Sequence, residues 1–147
     1  MLEGALIGAI VGLVAFFVMN SAKSKRYNAI RKSISETTDY SGLFHMASAT
    51  RYGKSMKFFD SYGALYLIGN KLYYKTQKDS VPAQFDLPNC TLQREPDWRM
   101  LKWFSVTTPV GEKVYFNSSK PGAFKNNSDE TVRAYELLKA KSPQVQP

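Results

Sequence analysis

The chain begins with a long run of apolar residues. Between Gly4 and Met19 there is no charged or strongly polar side chain. With its margins, this run predicts a helix of about 20 residues, roughly the length that crosses the hydrocarbon core of a bilayer. The run lacks the polar stripe of an amphipathic helix. We therefore predict a transmembrane helix at residues 1–22.

The charges around this run predict its orientation. Only Glu3 precedes it, and five cations follow it: Lys23, Lys25, Arg26, Arg31 and Lys32. A cleaved secretory signal, the alternative, normally has its basic residues first and ends at a small-x-small site, which Asn20-Ser21-Ala22 matches poorly. The positive-inside rule then places the N-terminus outside and the rest in the cytoplasm. The cations either also bind anionic lipid or only enforce this topology.

Three glycines recur at four-residue spacing within the run. Gly4, Gly8 and Gly12 form a GxxxGxxxG pattern on one helix face, where two helix backbones can approach closely. This predicts packing against the transmembrane helix of another subunit or of a second copy. The alternative is that small residues fill membrane helices by chance.

The segment at residues 23–39 is predicted to be a basic juxtamembrane helix followed by a linker. Tyr27, Ile30 and Ile34 recur at spacings of three and four, which is typical of a helix. A polar stretch follows, and a compact domain is predicted to begin near Tyr40 and to extend to residue 141.

The clearest strand pattern is "GALYLIGNKLYYKT". Two aromatic-rich runs flank Gly69-Asn70, a two-residue hairpin turn with glycine first. Pairing outward from this turn places Leu67 opposite Leu72 and Leu65 opposite Tyr74, with all four side chains on one face.

Further strands and one helix follow. In "MLKWFSVTTPVGEKVYFNSS", Phe104 and Val106 can share a face with Val114 and Phe116 across a turn at residues 109–111. Two short strands broken by a proline are predicted in "AQFDLPNCTLQRE", and one or two more in "FHMASATRYGKSMKFF". The pattern therefore predicts six or seven antiparallel strands.

The period then changes in "NNSDETVRAYELLKAK". Asn127 or Ser128 can cap a helix there, with an apolar stripe at Val132, Tyr135 and Leu138. A flexible tail is predicted at residues 142–147.

Short antiparallel strands closed by one helix resemble the pleckstrin-homology superfold. Two stretches resemble its GRAM and bacterial PH-like branch. Their residues are Gly63, Leu65, Leu67, Leu72 and Tyr74 in the first hairpin, and Gly111, Lys113 and Phe116 in the second. The resemblance implies an antiparallel barrel or sandwich of six to seven strands capped by one C-terminal helix. It leaves lipid, peptide and scaffolding roles open.

The composition argues against an enzyme. Cys90 is the only cysteine and His45 the only histidine, so an internal disulfide is excluded and a metal cluster is implausible. His45 is interpreted as a strand residue and Cys90 as a packed small residue. We predict no catalytic residue, no metal and no cofactor.

Two basic clusters are candidate binding sites. The net charge of +8 suggests an anionic partner. Arg51, Lys54 and Lys57 could form an anion or lipid-headgroup site. In "DWRMLKWF", the candidate protein-binding surface consists of Trp98, Arg99, Lys102 and Trp103, with Trp103 expected to be exposed if Phe104 faces inward. Nucleic acid is disfavoured, because the positive charges are spread along the chain rather than gathered in one block.

Together these patterns predict a non-enzymatic, single-pass membrane protein. Its expected role is an accessory or assembly subunit that presents a cytoplasmic interaction domain to a protein partner. The alternative is a membrane-anchored sensor of anionic lipid headgroups.

Overall fold

The computed structural model describes residues 2–34, 36–48, 62–98, 101–118 and 128–146, with only the backbone described at 2–10, 19, 20, 23 and 144–146. A long helix comes first, α1 (Leu2–Lys32), and a shorter one near the end, α2 (Asp129–Lys139). The described residues form eight strands: β1 (Tyr40–Ser48), β2 (Tyr62–Ile68), β3 (Lys71–Lys75), β4 (Ala83–Asp86), β5 (Thr91–Trp98), β6 (Leu101–Thr107), β7 (Lys113–Asn117) and β8 (Gln144–Gln146). A 3₁₀ turn at Leu87–Asn89 separates β4 from β5.

The strands form one sheet in the order β4-β3-β2-β1-β7-β6-β5-β8. Every neighbouring pair is antiparallel except β5 and β8. The prediction of an antiparallel sheet followed by a C-terminal helix is confirmed.

The register of the first hairpin is confirmed. Leu67 pairs with Leu72 and Leu65 with Tyr74, and all four belong to the main core. Gly69 has a φ of 60°, which glycine adopts without strain and which a tight hairpin turn requires.

The second hairpin is confirmed as well. Phe104 pairs with Phe116 and Val106 with Val114, and these four residues also lie in the main core. Its turn contains Gly111 with a φ of 87°.

The sheet curves until distant strands meet. Three strands lie between β4 and β7 in the sheet order, so in a flat sheet these two would be about 19 Å apart. The rings of Phe85 on β4 and Phe116 on β7 are nevertheless 6.0 Å apart. The two halves of the sheet therefore face each other around one core, as in a β-sandwich.

Helix α2 covers this core. Its buried residues are Thr131, Ala134, Tyr135 and Leu138, and the ring of Tyr135 lies 6.2 Å from that of Phe104. The predicted apolar stripe is confirmed at Tyr135 and Leu138, which are buried, whereas Val132 is only half-buried. Ser128 precedes the helix without a side-chain capping bond, and Asn127 lies outside the described residues.

The C-terminal tail differs from its prediction as a flexible segment. Gln144–Gln146 pairs in parallel with Thr91–Gln93 of β5. Just before it, the Ser142 hydroxyl donates a hydrogen bond of 3.1 Å to the Cys90 carbonyl. The sequence signal for this strand is one valine between two glutamines, which is too short to be recognised without the strand that it pairs with.

Candidate interaction surfaces

The last turns of α1 are packed against the outer face of the sheet. Ile30 is 2% exposed and forms a cluster with Ala64 and Tyr66 of β2. Tyr27 of α1 and Ile34, two residues beyond the end of this helix, pack against the same cluster. The spacing of Tyr27 and Ile30 therefore marks a helix face that contacts the sheet. Since α1 runs without interruption to Lys32, it also crosses the boundary predicted at residue 22.

Polar contacts surround this apolar cluster. The Arg31 guanidinium donates to the hydroxyls of Thr38, at 2.8 Å, and Ser41, at 2.7 Å. The hydroxyls of Tyr27 and Ser41 are 2.9 Å apart, and the Lys75 ammonium donates to Ser33 Oγ at 3.1 Å. These bonds connect α1 to β1, and they connect Ser33, which directly follows α1, to β3.

The preceding turns of α1 are exposed and apolar. The side chains of Val11, Leu13, Val14, Phe17 and Val18 are 57–66% exposed. At 100° per residue these five positions occupy an arc of roughly 160°, and Gly12, Ala15 and Phe16, which are also apolar, occupy the rest of the circumference. A helix that is apolar all round normally lies in apolar surroundings.

The predicted transmembrane helix is corrected by the structure. Among the described residues, no helix is both long enough and apolar enough to cross a membrane.

The predicted glycine face is described in part. Gly4 and Gly8 lie in α1, where the structure gives only their backbone. A Cβ added at Gly12 would meet no atom within 4 Å. Packing of this face against another helix stays a prediction.

The basic residues of α1 are mostly exposed. Four of them have exposed side chains: Lys25, Arg26, Arg31 and Lys32. Arg31 also bonds to Ser41 of the β-domain, which we define as β1–β8 with α2. Only the backbone of Lys23 is described.

Other predicted site residues fall outside the described ranges. These are Arg51, Lys54 and Lys57 of the candidate anion site and Arg99 of the candidate protein surface.

The prediction that Trp103 is exposed is wrong. Its side chain lies on the opposite face of β6 from Phe104, as alternation requires, but it is only 1% exposed. It forms a second small core with Ala47 and Leu101, against which the half-buried Trp98 packs. Lys102 is half-buried, and its carbonyl accepts a 2.6 Å bond from the Asn117 amide.

A partly buried ionic cluster joins three strands beside this second core. Glu95 on β5 accepts a hydrogen bond of 2.5 Å from Ser105 Oγ on β6 and is 2.6 Å from the Lys113 ammonium on β7. Lys113 also donates to Gln93, at 3.2 Å. These bonds hold the three strands together. Because Ser105 is fully buried, its hydroxyl is not an accessible nucleophile.

An open cavity of about 430 Å³ lies between α1, β1 and the start of α2. Its lining is rich in hydroxyl groups and includes Tyr27, Ser41, Ser118 and Glu130. Beside it, the Tyr40 hydroxyl donates a 2.6 Å bond to Glu130. Burial, and then this bond to the carboxylate, raise the pKa of Tyr40 well above its ordinary value.

Cys90 and His45 both lie in the interior. Burial raises the pKa of the Cys90 thiol, and Asp86 adds to this effect, which disfavours the reactive thiolate. His45 is a strand residue of β1, as predicted, with its ring 5.9 Å from that of Tyr62 and 6.0 Å from that of Trp103. Within the described ranges, no three His, Cys, Asp or Glu side chains come together in a possible metal site.

Comparisons with known proteins give no family for this chain. No protein-family model and no curated protein sequence matches it. The assignment to the GRAM and bacterial PH-like branch behind a transmembrane helix is therefore wrong. The residues on which this assignment depended are of types common in strands and turns. They form the two hairpins, and hairpins of this kind occur in many antiparallel sheets.

Proposed function

We propose that this protein is a non-enzymatic interaction module that acts at an anionic membrane surface as an accessory subunit of a larger assembly. Helix α1 binds the lipid, and the β-domain binds a protein partner. The observation that carries the proposal is the order of surfaces along α1: an exposed apolar stretch, then exposed cations, then an end packed on the sheet.

The apolar stretch requires a covering surface. The five exposed side chains at Val11–Val18 are adjacent, and contiguous apolar surface of this kind marks a binding site for lipid or protein. Transfer of such side chains from water to an acyl environment is favourable by about 25 cal/mol per Å² of apolar area.

The cations favour lipid as that surface. Lys25, Arg26 and Lys32 are exposed and lie on the C-terminal side of the apolar stretch in the same helix. A cation near an anionic bilayer contributes about 1 kcal/mol, which is roughly a fivefold change in binding per charge. An apolar protein partner would not require this positive charge.

The packed end of α1 explains why lipid binding would matter to the β-domain. Ile30, Tyr27 and Arg31 attach α1 to β1 and β2, so lipid bound to α1 holds the β-domain close to the surface. The domain is then positioned to meet a partner at that membrane.

Vesicle flotation of the full chain tests this proposal, because it separates bound protein from aggregate. We expect binding to vesicles of phosphatidylcholine mixed with phosphatidylserine, and weaker binding to phosphatidylcholine alone. The double variant Lys25→Gln/Arg26→Gln should bind the anionic vesicles roughly 25-fold more weakly. Added salt should likewise weaken the binding of the wild-type protein to the anionic vesicles.

A matched control removes the same charge elsewhere. Lys139→Gln/Lys141→Gln, at the end of α2, should bind like the wild type. Val14→Asp/Phe17→Asp should lose binding to both kinds of vesicle. If the α1 variants at both the cationic and the apolar positions bind as the wild type does, the proposal is refuted.

A further inference from the structure

The outer edge of β5 carries an extended segment of the chain's own tail. Thr91, Leu92 and Gln93 stand opposite Gln144, Val145 and Gln146 in a parallel ladder. Edge strands present unpaired N–H and C=O groups and readily accept another strand. This edge therefore binds an extended peptide segment in the structure itself.

The tail covers only part of this edge. β5 continues through Arg94 and Glu95 to Trp98, and β8 ends opposite Gln93. The next tail residue, Pro147, has no N–H to donate. On β5, Pro96 lies where the pairing with β6 shifts register, so the usable edge ends at Glu95.

The edge is held in place before any partner binds. Glu95 is bonded to Ser105 on β6 and to Lys113 on β7, and Leu92 is fully buried in the main core. A strand that binds here orders little of the β-domain, which lowers the entropic cost of binding.

The side chains of β5 define the sequence that fits. Paired residues of neighbouring strands share a face, so a residue opposite Leu92 meets the core face, which favours a β-branched apolar side chain. Arg94 lies on that same face but is exposed. Opposite charges on paired strands attract, so an acidic residue is favoured opposite Arg94.

We propose that the edge of β5 from Thr91 to Glu95 is a binding site for an extended segment of a partner protein, with a β-branched residue opposite Leu92 and an acidic residue opposite Arg94. The tail is a short occupant of the same edge and competes with the partner. A longer strand displaces the tail because it also pairs with Arg94 and Glu95. The proposal rests on the protein-binding part of the proposed function and is independent of lipid.

Synthetic peptides test this in solution without membranes. One peptide has the sequence of residues 141–147, and in a second Glu-Thr replaces Pro147. Fluorescence anisotropy would measure their binding to the full chain and to a chain that ends at Ser142. The tail acts in cis at millimolar effective concentration, so the full chain should bind roughly tenfold more weakly or worse.

The two peptides should differ on the shortened chain. The extended peptide gains backbone bonds and a cross-strand charge pair, for which we expect roughly tenfold tighter binding. Arg94→Glu should abolish this gain, and a peptide with lysine at the acidic position should restore it.

The matched control is the extended peptide with N-methyl groups at the positions of Gln144, Val145 and Gln146, which keeps the side chains but blocks the ladder. The proposal would be overturned if the N-methylated and the unmethylated extended peptides bound equally well, or if the full and the shortened chains bound the peptide equally well.

Hydrogen exchange on the intact chain gives a second measurement that does not depend on the truncation. Saturating extended peptide should slow exchange along β5, and unchanged rates there would also overturn it. A protein that floats with vesicles but fails these assays would keep its membrane role and lose only this site.

Discussion

Replacing Gly63 by alanine tests how closely β2 and β3 approach each other. Gly63 lies in β2 opposite Phe44 of β1. A Cβ at this position would lie 2.5 Å from the Lys75 carbonyl oxygen and 2.8 Å from Cζ of Tyr74, distances that real Cβ atoms essentially never show. Because the carbonyl belongs to the backbone of β3, no side-chain rotation relieves the contact, and the two strands have to shift.

The expected cost follows from these contacts. Overpacking of a well-packed site costs about 1–3 kcal/mol. The Tyr74 hydroxyl also donates a 3.2 Å bond to the Phe44 carbonyl, and its loss adds about 1 kcal/mol. We therefore expect Gly63→Ala to lower the free energy of unfolding by about 3 kcal/mol. In a domain of this size that lowers Tm by more than about 10 °C.

Thermal unfolding followed by circular dichroism measures this effect. Gly12→Ala is the matched control, since an added Cβ at Gly12 meets nothing within 4 Å and alanine favours the helix. Its Tm should equal that of the wild type or exceed it slightly. A Gly63→Ala protein that melts at the wild-type temperature would refute the close approach of β2 and β3.

Three further predictions concern the α1 contact, the buried phenols and the cysteine. Ile30→Ala should lower the free energy of unfolding by about 2–4 kcal/mol in urea titrations, whereas Val18→Ala, at an exposed position, should change it by less than about 0.5 kcal/mol. The pKa values of Tyr40 and Tyr74 are raised in the folded state above 10.0, mainly by burial. Their contribution to stability is complete below pH 10 and is lost as the pH rises further, by up to about 1.4 kcal/mol per pH unit for each phenol. Urea titrations between pH 9 and 11 should show this fall, and Tyr40→Phe should make it less steep; an unchanged slope would contradict the burial of this phenol. Cys90 should react slowly with a thiol reagent in the native protein and rapidly in urea, and equal rates would contradict its burial.

Local patterns in the sequence determined the two central hairpins. Their strands are rich in aromatic and branched apolar residues, and their turns contain Gly69 and Gly111, so both turn and register depend on residues close together in the chain. The position of α2 was likewise predictable, because an amphipathic period of this length is a local property. No distant contact is needed to recognise any of these elements.

Contacts between distant segments decided the rest. Alternation places Trp103 on the outer face of β6, but only the folded chain shows that this face is covered. The spacing of Tyr27 and Ile30 indicates a helix face, whereas its partner on β2 lies more than thirty residues further along the chain. The three residues of β8 form a strand only because β5 presents an edge to them. A sequence pattern reports which side chains share a face, and only tertiary packing determines what, if anything, lies against it.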